Sequence, residues 1–359
     1  MNLLELLHAE CGTSPWLDCV RRSYLHSGRL GHLAKRGIRG AIRSPSLFEH
    51  MVWGSAEYDA QIASLSRRHV GVEEIYWELI ISDVTAALAW LQPVYDASGG
   101  HDGFIVIDLP PVLAHDTTGI IATVRALYTQ IRRPNLLVRI PATDAGIRAL
   151  TRLTADGLGV VVDVVAPARY ERVMEAYLSG LETCPGPLAG VHGVAAFDLA
   201  RLEATGRGAP GYTGGQDLPA SPNDGVTVAR RAYSAFQVRF SGPRWGRLAH
   251  RGATPQRPLW FPPSPGPARS AVALTQQLAG RNCIVAVSDD VATGLERYES
   301  PAVAHCGLED PSDVVAPMDV TDTGDEDLVR AQEANALETS RRAYDAVLAT
   351  LRARVSTSD

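Results

Sequence analysis

The chain has 359 residues, of which 45% are hydrophobic and 21% are charged, and its formal net charge is −6 at pH 7. This length suffices for one large domain or two small ones, and mild acidity without a basic block argues against nucleic acid as a partner. No apolar run is long enough to span a membrane, and no signal peptide precedes residues 1–7. We therefore expect a cytoplasmic protein without a membrane partner.

Two residue counts restrict the chemistry. The five cysteines are scattered without CxxC spacing, so we predict that they are reduced thiols. Lys35 is the only lysine, and all other strongly basic residues are arginine. Because arginine stays protonated, it cannot act as an amine nucleophile.

Strand-like and helix-like segments alternate along the chain. In order, the first half is predicted to contain helix 1–9, strand 15–20, helix 21–35, strand 37–43, a helix from Ser46, helical residues 55–91 and strand 104–109. The second half continues with helix 119–130, strand 135–140, helix 144–156, strand 159–165, helix 167–181, strand 188–197, helix 226–248, strands 258–261 and 284–288, and helix 326–355. Residues 204–225 are rich in glycine and proline and are predicted to form a surface loop.

This alternation indicates the fold class. Eight short apolar strands between helices, without a separable second core, are typical of an α/β protein with a single domain over residues 1–359. We predict a (β/α)8 TIM barrel with extra N-terminal and C-terminal helices. The periodicity alone also allows an open, doubly wound sheet.

The fourth strand contains a charged residue in an apolar setting. Side chains alternate along a strand, so Leu137 and Arg139 share one face while Leu136 and Val138 share the other. Arg139 is therefore predicted to point into the barrel near the carboxyl end of the strand. A lone buried charge is costly unless it is paired, so acids from other strands are expected around it.

Acids stand at the ends of three other strands, where barrels of this class build their sites. They are Asp18, Asp108 and Asp163, and with Arg139 they are the predicted catalytic residues. Partly desolvated carboxyls can have raised pKa values and serve in acid–base chemistry, but the same group could be a structural ion network. Three aspartates could also bind Mg²⁺ or Mn²⁺. Because Arg139 already supplies positive charge, neither a metal nor a cofactor is expected.

Arginine and aromatic residues near the strand ends are candidates for substrate binding. Arg43 and Arg201 could each bind a phosphate or carboxylate through two hydrogen bonds, although a salt bridge is the alternative for Arg43. Trp260 and Phe261 could line an apolar substrate pocket, although core packing is the commoner use of such residues. The expected partner is thus a small-molecule substrate, bound by a monomer or homodimer.

Several strings resemble the transaldolase family. They are RPNLLVRIPAT (133–143), WLDCVRR (16–22), GAIRSPSLF (40–48), PVYDASGGHDG (93–103), LAHD (113–116), RYERVMEAYLSGLE (169–182) and QRPLW (256–260). The likeness runs from Asn2 to about Leu308. It implies a barrel of the transaldolase type and a homologue of a pentose phosphate pathway enzyme in carbohydrate metabolism.

The resemblance also suggests residue roles. Family members read KIPAT where this chain reads RIPAT, and their lysine forms a Schiff base with the sugar carbonyl; here Arg139 stands at that position. Asp108 replaces the general-base glutamate of strand three, and Asp18 keeps the acid of strand one. Ser44 replaces the asparagine of the family's SNP turn, and Arg201 matches an arginine that contacts phosphate.

Other positions depart further from the family. Strand five ends in Asp163 where the family reads NVT, Ala196 replaces a serine of strand six, and residues 261–265 (FPPSP) replace a hydroxyl-rich and basic loop that helps hold a sugar phosphate. Three prolines remove backbone N–H donors from this loop. The implied ligand is therefore a non-phosphorylated or carboxylate-bearing molecule.

Three functional hypotheses follow. The first is an enzyme repurposed for a small sugar, polyol or metabolite that works without an imine, with Asp108 and Asp18 as acid and base, Asp163 as a further acid or orienting group, and Arg139 as an electrostatic stabiliser. The second is a catalytically silent homologue that acts as a binding or scaffold protein. The third is an active transaldolase that uses Lys35 instead.

Overall fold

Eight parallel strands close into a barrel in chain order, with the first strand paired to both the second and the eighth. The computed structural model describes residues 1–43, 55–68, 70–202, 225–263, 268–298, 306–310 and 326–356. The strands are β1 (Ser14–Asp18), β2 (Gly40–Ile42), β3 (Phe104–Asp108), β4 (Leu136–Pro141), β5 (Val160–Asp163), β6 (Gly193–Asp198), β7 (Arg257–Phe261) and β8 (Ile284–Val287). The predicted (β/α)8 barrel is confirmed, and the open doubly wound sheet is excluded.

Helices surround the barrel, and further helices precede β1 and follow β8 in the chain. Within the described residues they are α1 (Leu3–Cys11), α2 (Arg22–His26), α3 (Arg29–Lys35), α4 (Asp59–Ser66), α5 (Val72–Ala97), α6 (Thr117–Ile131), α7 (Asp144–Ala155), α8 (Tyr170–Thr183), α9 (Gly225–Arg239), α10 (Gly242–His250), α11 (Ala268–Gln277), α12 (Asp289–Arg297) and α13 (Glu326–Ser356). None of these described helices is long and apolar enough to cross a membrane.

Three predicted helices are each divided in the structure. The predicted helix 21–35 separates into α2 and α3 at Gly28, whose φ of +75° is left-handed. The predicted helix 226–248 separates into α9 and α10 because Ser241, which precedes α10, is extended with φ −125° and ψ −179°, and the backbone of Gly242 enters α10 with φ +75°. The stretch 55–91 separates at Gly71, whose ψ of 155° is extended.

The start of the helix predicted from Ser46 lies outside the described residues, as do residues 204–224 of the predicted loop 204–225. The last residue of that predicted loop, Gly225, begins α9 instead.

Side chains of the strands divide into two apolar layers, as a period of two requires. Leu137, Val161 and Leu259 belong to the cluster that fills the barrel interior. Leu136 and Val138 belong to the larger cluster between the barrel and the helices. The predicted register of β4 is thereby confirmed, and it directs Arg139 toward the carboxyl-terminal mouth of the barrel.

A buried ion network closes the opposite, amino-terminal end of the barrel. Asp102, whose side chain is 3% exposed, accepts hydrogen bonds from Ser14 Oγ at 2.7 Å and from Arg257 Nη1 at 3.0 Å. Arg39 Nε lies 3.3 Å from the second oxygen of the same carboxylate. This end is thus occupied by a paired structural charge, which leaves the carboxyl-terminal end for a site.

The cysteines differ from the prediction. Cys11 of α1 and Cys306 form a disulfide, with 5.4 Å between their Cα atoms, so the prediction of five reduced thiols is wrong for this pair. The two residues are 295 positions apart, and nothing in their local sequence indicates that the fold brings them together. Cys19, Cys184 and Cys283 are free and buried.

Candidate active site

A cavity of about 400 Å³ lies at the carboxyl ends of the strands, beneath helix α13. Strand ends contribute most of its charged groups, while Arg201 follows β6 and Glu333 belongs to α13. The turn after β3 and helix α13 contribute most of its apolar wall. The charged lining residues are Asp18, Asp108, Arg139, Asp163, Asp198, Arg201 and Glu333. All four predicted catalytic residues therefore meet in one cavity.

Arg139 and Asp108 form a two-pronged ion pair across neighbouring strands. Arg139 Nε lies 2.5 Å from Asp108 Oδ1, and Arg139 Nη2 lies 2.7 Å from Asp108 Oδ2. Their side chains are only 17% and 12% exposed. Burial opposes the charge of Arg139, but the attraction and hydrogen bonding of Asp108 outweigh it, so the pKa of Arg139 is raised. The prediction that Arg139 is paired with a strand-end acid is confirmed.

Asp18 and Asp163 are placed differently from Asp108. Neither carboxylate forms a hydrogen bond or a close ion pair with any residue that the structure describes, and both face the cavity. Burial raises the pKa of Asp18 and of Asp163, and the nearby Arg139 only partly opposes this shift. A carboxyl that is desolvated and not committed to a partner is suited to exchange a proton with a ligand.

Asp198 is a cavity residue that the sequence prediction missed. It ends β6, and its Oδ1 accepts a hydrogen bond from the Arg201 backbone N–H at 3.0 Å, while its Oδ2 lies 3.3 Å from Arg201 Nη2. Asp198 occupies the same strand-end position as Asp108 and Asp163 do on their strands. The rule that located those two residues could therefore have located this one.

Helix α13 covers the cavity and was not predicted to contribute to it. Its residues in the lining are Glu333, Ala336, Leu337, Thr339, Ser340 and Ala343. Arg169 holds this helix, with its Nε 2.8 Å from Glu333 Oε1 and its Nη2 3.1 Å from Glu326 Oε1. Farther along, the rings of Tyr344 and Tyr76 pack edge to face with 5.2 Å between centroids.

Two residues predicted to bind substrate lie elsewhere. Arg43 is 4% exposed, and its Nη2 lies 3.0 Å from Asp83 Oδ2, which favours the alternative of a buried salt bridge. Trp260 is fully buried in the outer apolar layer and packs against Phe197, with 5.1 Å between ring centroids, which favours core packing. Ser44 lies outside the described residues. Of the candidates in this group that the structure describes, Arg201 lies in the cavity.

The next residue after Trp260 does line the cavity. Phe261 ends β7 facing inward, and the Arg139 guanidinium carbon lies 5.6 Å from the centre of its ring. This distance is within the range of a cation–π contact. Of the two aromatic residues predicted to line a pocket, Phe261 therefore does so, whereas Trp260 points to the opposite face of the strand.

The fold and the site together define an eight-stranded (β/α)8 barrel with a polar cavity at the carboxyl ends of its strands. The family model described as transaldolase/fructose-6-phosphate aldolase matches residues 15–264, and the chain belongs to this family. It is 40% identical over 263 residues to transaldolase 1 of Streptomyces avermitilis, covering 72% of this chain and 69% of the relative. It is 38% identical over 258 residues to transaldolase 1 of Streptomyces coelicolor, covering 70% and 68% respectively.

Proposed function

We propose that this chain is a transaldolase-family enzyme that acts on a small sugar, polyol or related carbonyl metabolite without forming an imine. The proposal depends mainly on Arg139. The resemblance implies a Schiff-base lysine at this position. The guanidinium of Arg139 instead donates two hydrogen bonds to Asp108, from Nε and from Nη2. A guanidinium in such a pair is a fixed positive charge and not a nucleophile.

The lysine of this chain does not offer a substitute. Lys35 is the last residue of α3, is exposed to solvent, and is not among the residues that line the cavity. An amine there cannot reach a carbonyl bound beside Arg139. These placements support chemistry without a covalent intermediate over the hypothesis of an active transaldolase.

The contacts also favour a particular division of roles. Asp108 is committed to Arg139, whereas Asp18 and Asp163 have no such partner among the described residues, so the acid–base pair is better assigned to Asp18 and Asp163. One carboxylate would remove a proton from the carbon next to a carbonyl, and the electron pair of that C–H bond would move onto the carbonyl oxygen. Arg139 would stabilise the resulting enolate. The other carboxyl would return a proton to carbon, so the sequence needs no oxidant or reductant.

The cavity separates this proposal from the hypothesis of a silent scaffold. A scaffold that had lost its reaction would be free to fill the former site with side chains. Here a cavity of about 400 Å³ remains open around Arg139, within the size range of small-molecule sites. Neutral Val161 and Ala196 are buried in the barrel interior, so they do not obstruct the cavity.

Proton exchange in D₂O tests the proposal. Unphosphorylated sugars and ketones such as dihydroxyacetone are incubated with the protein, and loss of the C–H signal next to the carbonyl is followed by NMR. Asp18→Asn and Asp163→Asn should each slow exchange about 10²–10⁴-fold, the usual contribution of a general acid or base. Asp345→Asn, an exposed change on α13, is the control. Absence of exchange across the panel would favour the scaffold.

Borohydride reduction tests for the imine directly. The protein is mixed with fructose 6-phosphate, reduced and analysed by mass spectrometry. We expect no adduct, because the described cavity lining contains no lysine. A trapped adduct at Lys35, or at any other amine, would restore the hypothesis of an active transaldolase.

A further inference from the structure

We propose that the cavity selects a ligand with a positively charged amine, such as an amino polyol, over a neutral polyol and over a sugar phosphate. This inference rests on the proposed function, because it concerns the ligand of the same site. It names a charge class that the sequence did not indicate, and it argues against the carboxylate-bearing ligand that the resemblance left open.

Acids outnumber bases around the cavity. The acidic residues of its lining are Asp18, Asp108, Asp163, Asp198 and Glu333, and the basic residues of its lining are Arg139 and Arg201. Arg169 lies behind Glu333 and neutralises it through the 2.8 Å hydrogen bond. The remaining excess of negative charge comes from the strand ends, where a bound molecule would contact it.

Each of the two arginines in the cavity lining already contacts an aspartate of the protein. Asp108 accepts two hydrogen bonds from Arg139, and Asp198 lies 3.3 Å from Arg201. A phosphate or carboxylate would have to displace these aspartates and then lie beside them. Like charges at close range in a partly desolvated cavity repel each other strongly, so an anion gains little here.

Asp18 and Asp163 are the acids that this pairing leaves over. Within the described part of the chain, neither accepts a hydrogen bond, and each faces the cavity. An ammonium group supplies three donors and a positive charge, which suits two carboxylates better than a hydroxyl does. A ligand amine would thus provide the partner that the fold does not.

The rest of the cavity suits the carbon chain of a polyol. Phe261, Leu109 and Leu337 give it an apolar wall, and Thr339 and Ser340 of α13 place hydroxyl groups in the lining. A volume of about 400 Å³ lies at the lower end of the range for ligand pockets. A molecule of about hexose size with one amine therefore fits both the space and the charge.

A metal ion is the other cation that carboxylates attract. The described residues contain no group of three His, Cys, Asp or Glu side chains arranged to hold a metal. The organic cation is therefore the proposal, and Mg²⁺ is included in the experiment as a competing outcome.

Calorimetric titration with three matched probes tests the charge preference. D-glucamine, D-sorbitol and D-sorbitol 6-phosphate share a six-carbon polyol; D-glucamine differs from D-sorbitol by the amine on C1, and D-sorbitol 6-phosphate by the phosphate on C6. At pH 7.5 we expect D-glucamine to bind about tenfold more tightly than D-sorbitol, a change equivalent to about 1.4 kcal/mol. D-sorbitol 6-phosphate should bind most weakly. A separate titration with MgCl₂ should give no tight binding.

Variants assign the preference to residues. Asp18→Asn and Asp163→Asn keep the shape of the side chain and remove its charge, so each should bring the affinities for D-glucamine and D-sorbitol close together. Asp345→Asn removes a charge from the exposed part of α13, where Asp345 pairs with Arg341 at 2.9 Å, and should leave the preference unchanged. For the parent, the preference should fade as the pH drops through the raised pKa of the two carboxyls, because the protonated forms carry no charge.

Several results would overturn the inference. They are tightest binding of the phosphate, equal binding of D-glucamine and D-sorbitol, no binding of any probe, a preference that survives both aspartate variants, or a tight Mg²⁺ site. Because binding is measured without turnover, the outcome is separate from that of the exchange experiment. A protein that prefers D-glucamine but exchanges no proton would be an amine-binding barrel without the proposed catalysis.

Discussion

At the scale of single residues, Arg139 depends on Asp108 for its place in the barrel. Arg139→Met would remove one member of a largely buried ion pair and leave the Asp108 carboxylate without its two hydrogen bonds. Losing one partner of such a pair typically costs roughly 3–5 kcal/mol, so the variant should unfold at a clearly lower denaturant concentration than the parent.

The matched double variant Arg139→Met/Asp108→Leu separates pairing from packing. Replacing both members of a buried pair by apolar residues is often neutral, so it should regain most of the lost stability. If Arg139→Met unfolds like the parent, the pair contributes nothing and the cost of the unpaired Asp108 is absent.

Asp163 destabilises the folded protein at neutral pH, in contrast to the Arg139–Asp108 ion pair, which is expected to stabilise it. Burial raises its pKa in the folded protein, so the folded state binds the extra proton more readily than the unfolded chain does. The charged Asp163 carboxylate therefore lowers the free energy of unfolding. This destabilisation is absent below the ordinary pKa of about 3.9, grows as the pH rises through the raised pKa, and persists at neutral pH. Asp163→Asn should therefore raise the melting temperature at pH 7, and this gain should shrink at acidic pH.

Thermal unfolding from pH 4 to pH 8 measures this difference, with Asp345→Asn as the control for a solvent-exposed aspartate. A lower melting temperature for Asp163→Asn at pH 7 would show that the carboxylate is stabilised in the folded protein by a partner. A site residue that weakens the fold is consistent with retention for function, which is the trade-off that active sites commonly show.

At the scale of elements, helix α13 determines how accessible the cavity is. Arg169 is 5% exposed and joins this helix to the segment before α8 through Glu333 and Glu326. Arg169→Gln would leave Glu333 buried beside the cavity without its cation. We expect faster amide hydrogen exchange in α13 from Glu333 to Ala343, because local opening becomes less costly.

A second arginine of the same region serves as the control for this measurement. Arg341 pairs with Glu338 and Asp345 within α13, and all three side chains are exposed, so Arg341→Gln should change the exchange rates little. Equal protection of α13 in the parent and in Arg169→Gln would mean that apolar contacts such as Tyr76 against Tyr344 hold the helix without the ion pair.

At the scale of the whole molecule, the sequence predicted those features that follow from neighbouring residues, such as the direction of side chains along a strand. The period of two placed Arg139 inside the barrel, and the cost of an unpaired charge predicted its acidic partner. The cover of the cavity by α13 was not predictable, because an amphipathic helix shows that it has a buried face but not which surface it buries. Arg43 and Trp260 were assigned to the cavity from their nearness to strand ends, and the face and depth of each side chain depended on packing that the sequence does not state.

The disulfide could not be predicted from the sequence around either cysteine, and it affects the stability of the whole chain. Cys11–Cys306 closes a loop across a separation of 295 residues, which restricts the unfolded chain far more than the folded one. Reduction with dithiothreitol should lower the free energy of unfolding by roughly 2–4 kcal/mol. The variant Cys11→Ser/Cys306→Ser should unfold like the reduced parent and be insensitive to reductant. Thiol titration of the unfolded protein should find three thiols before reduction and five after it; five before reduction would mean that the bridge does not form.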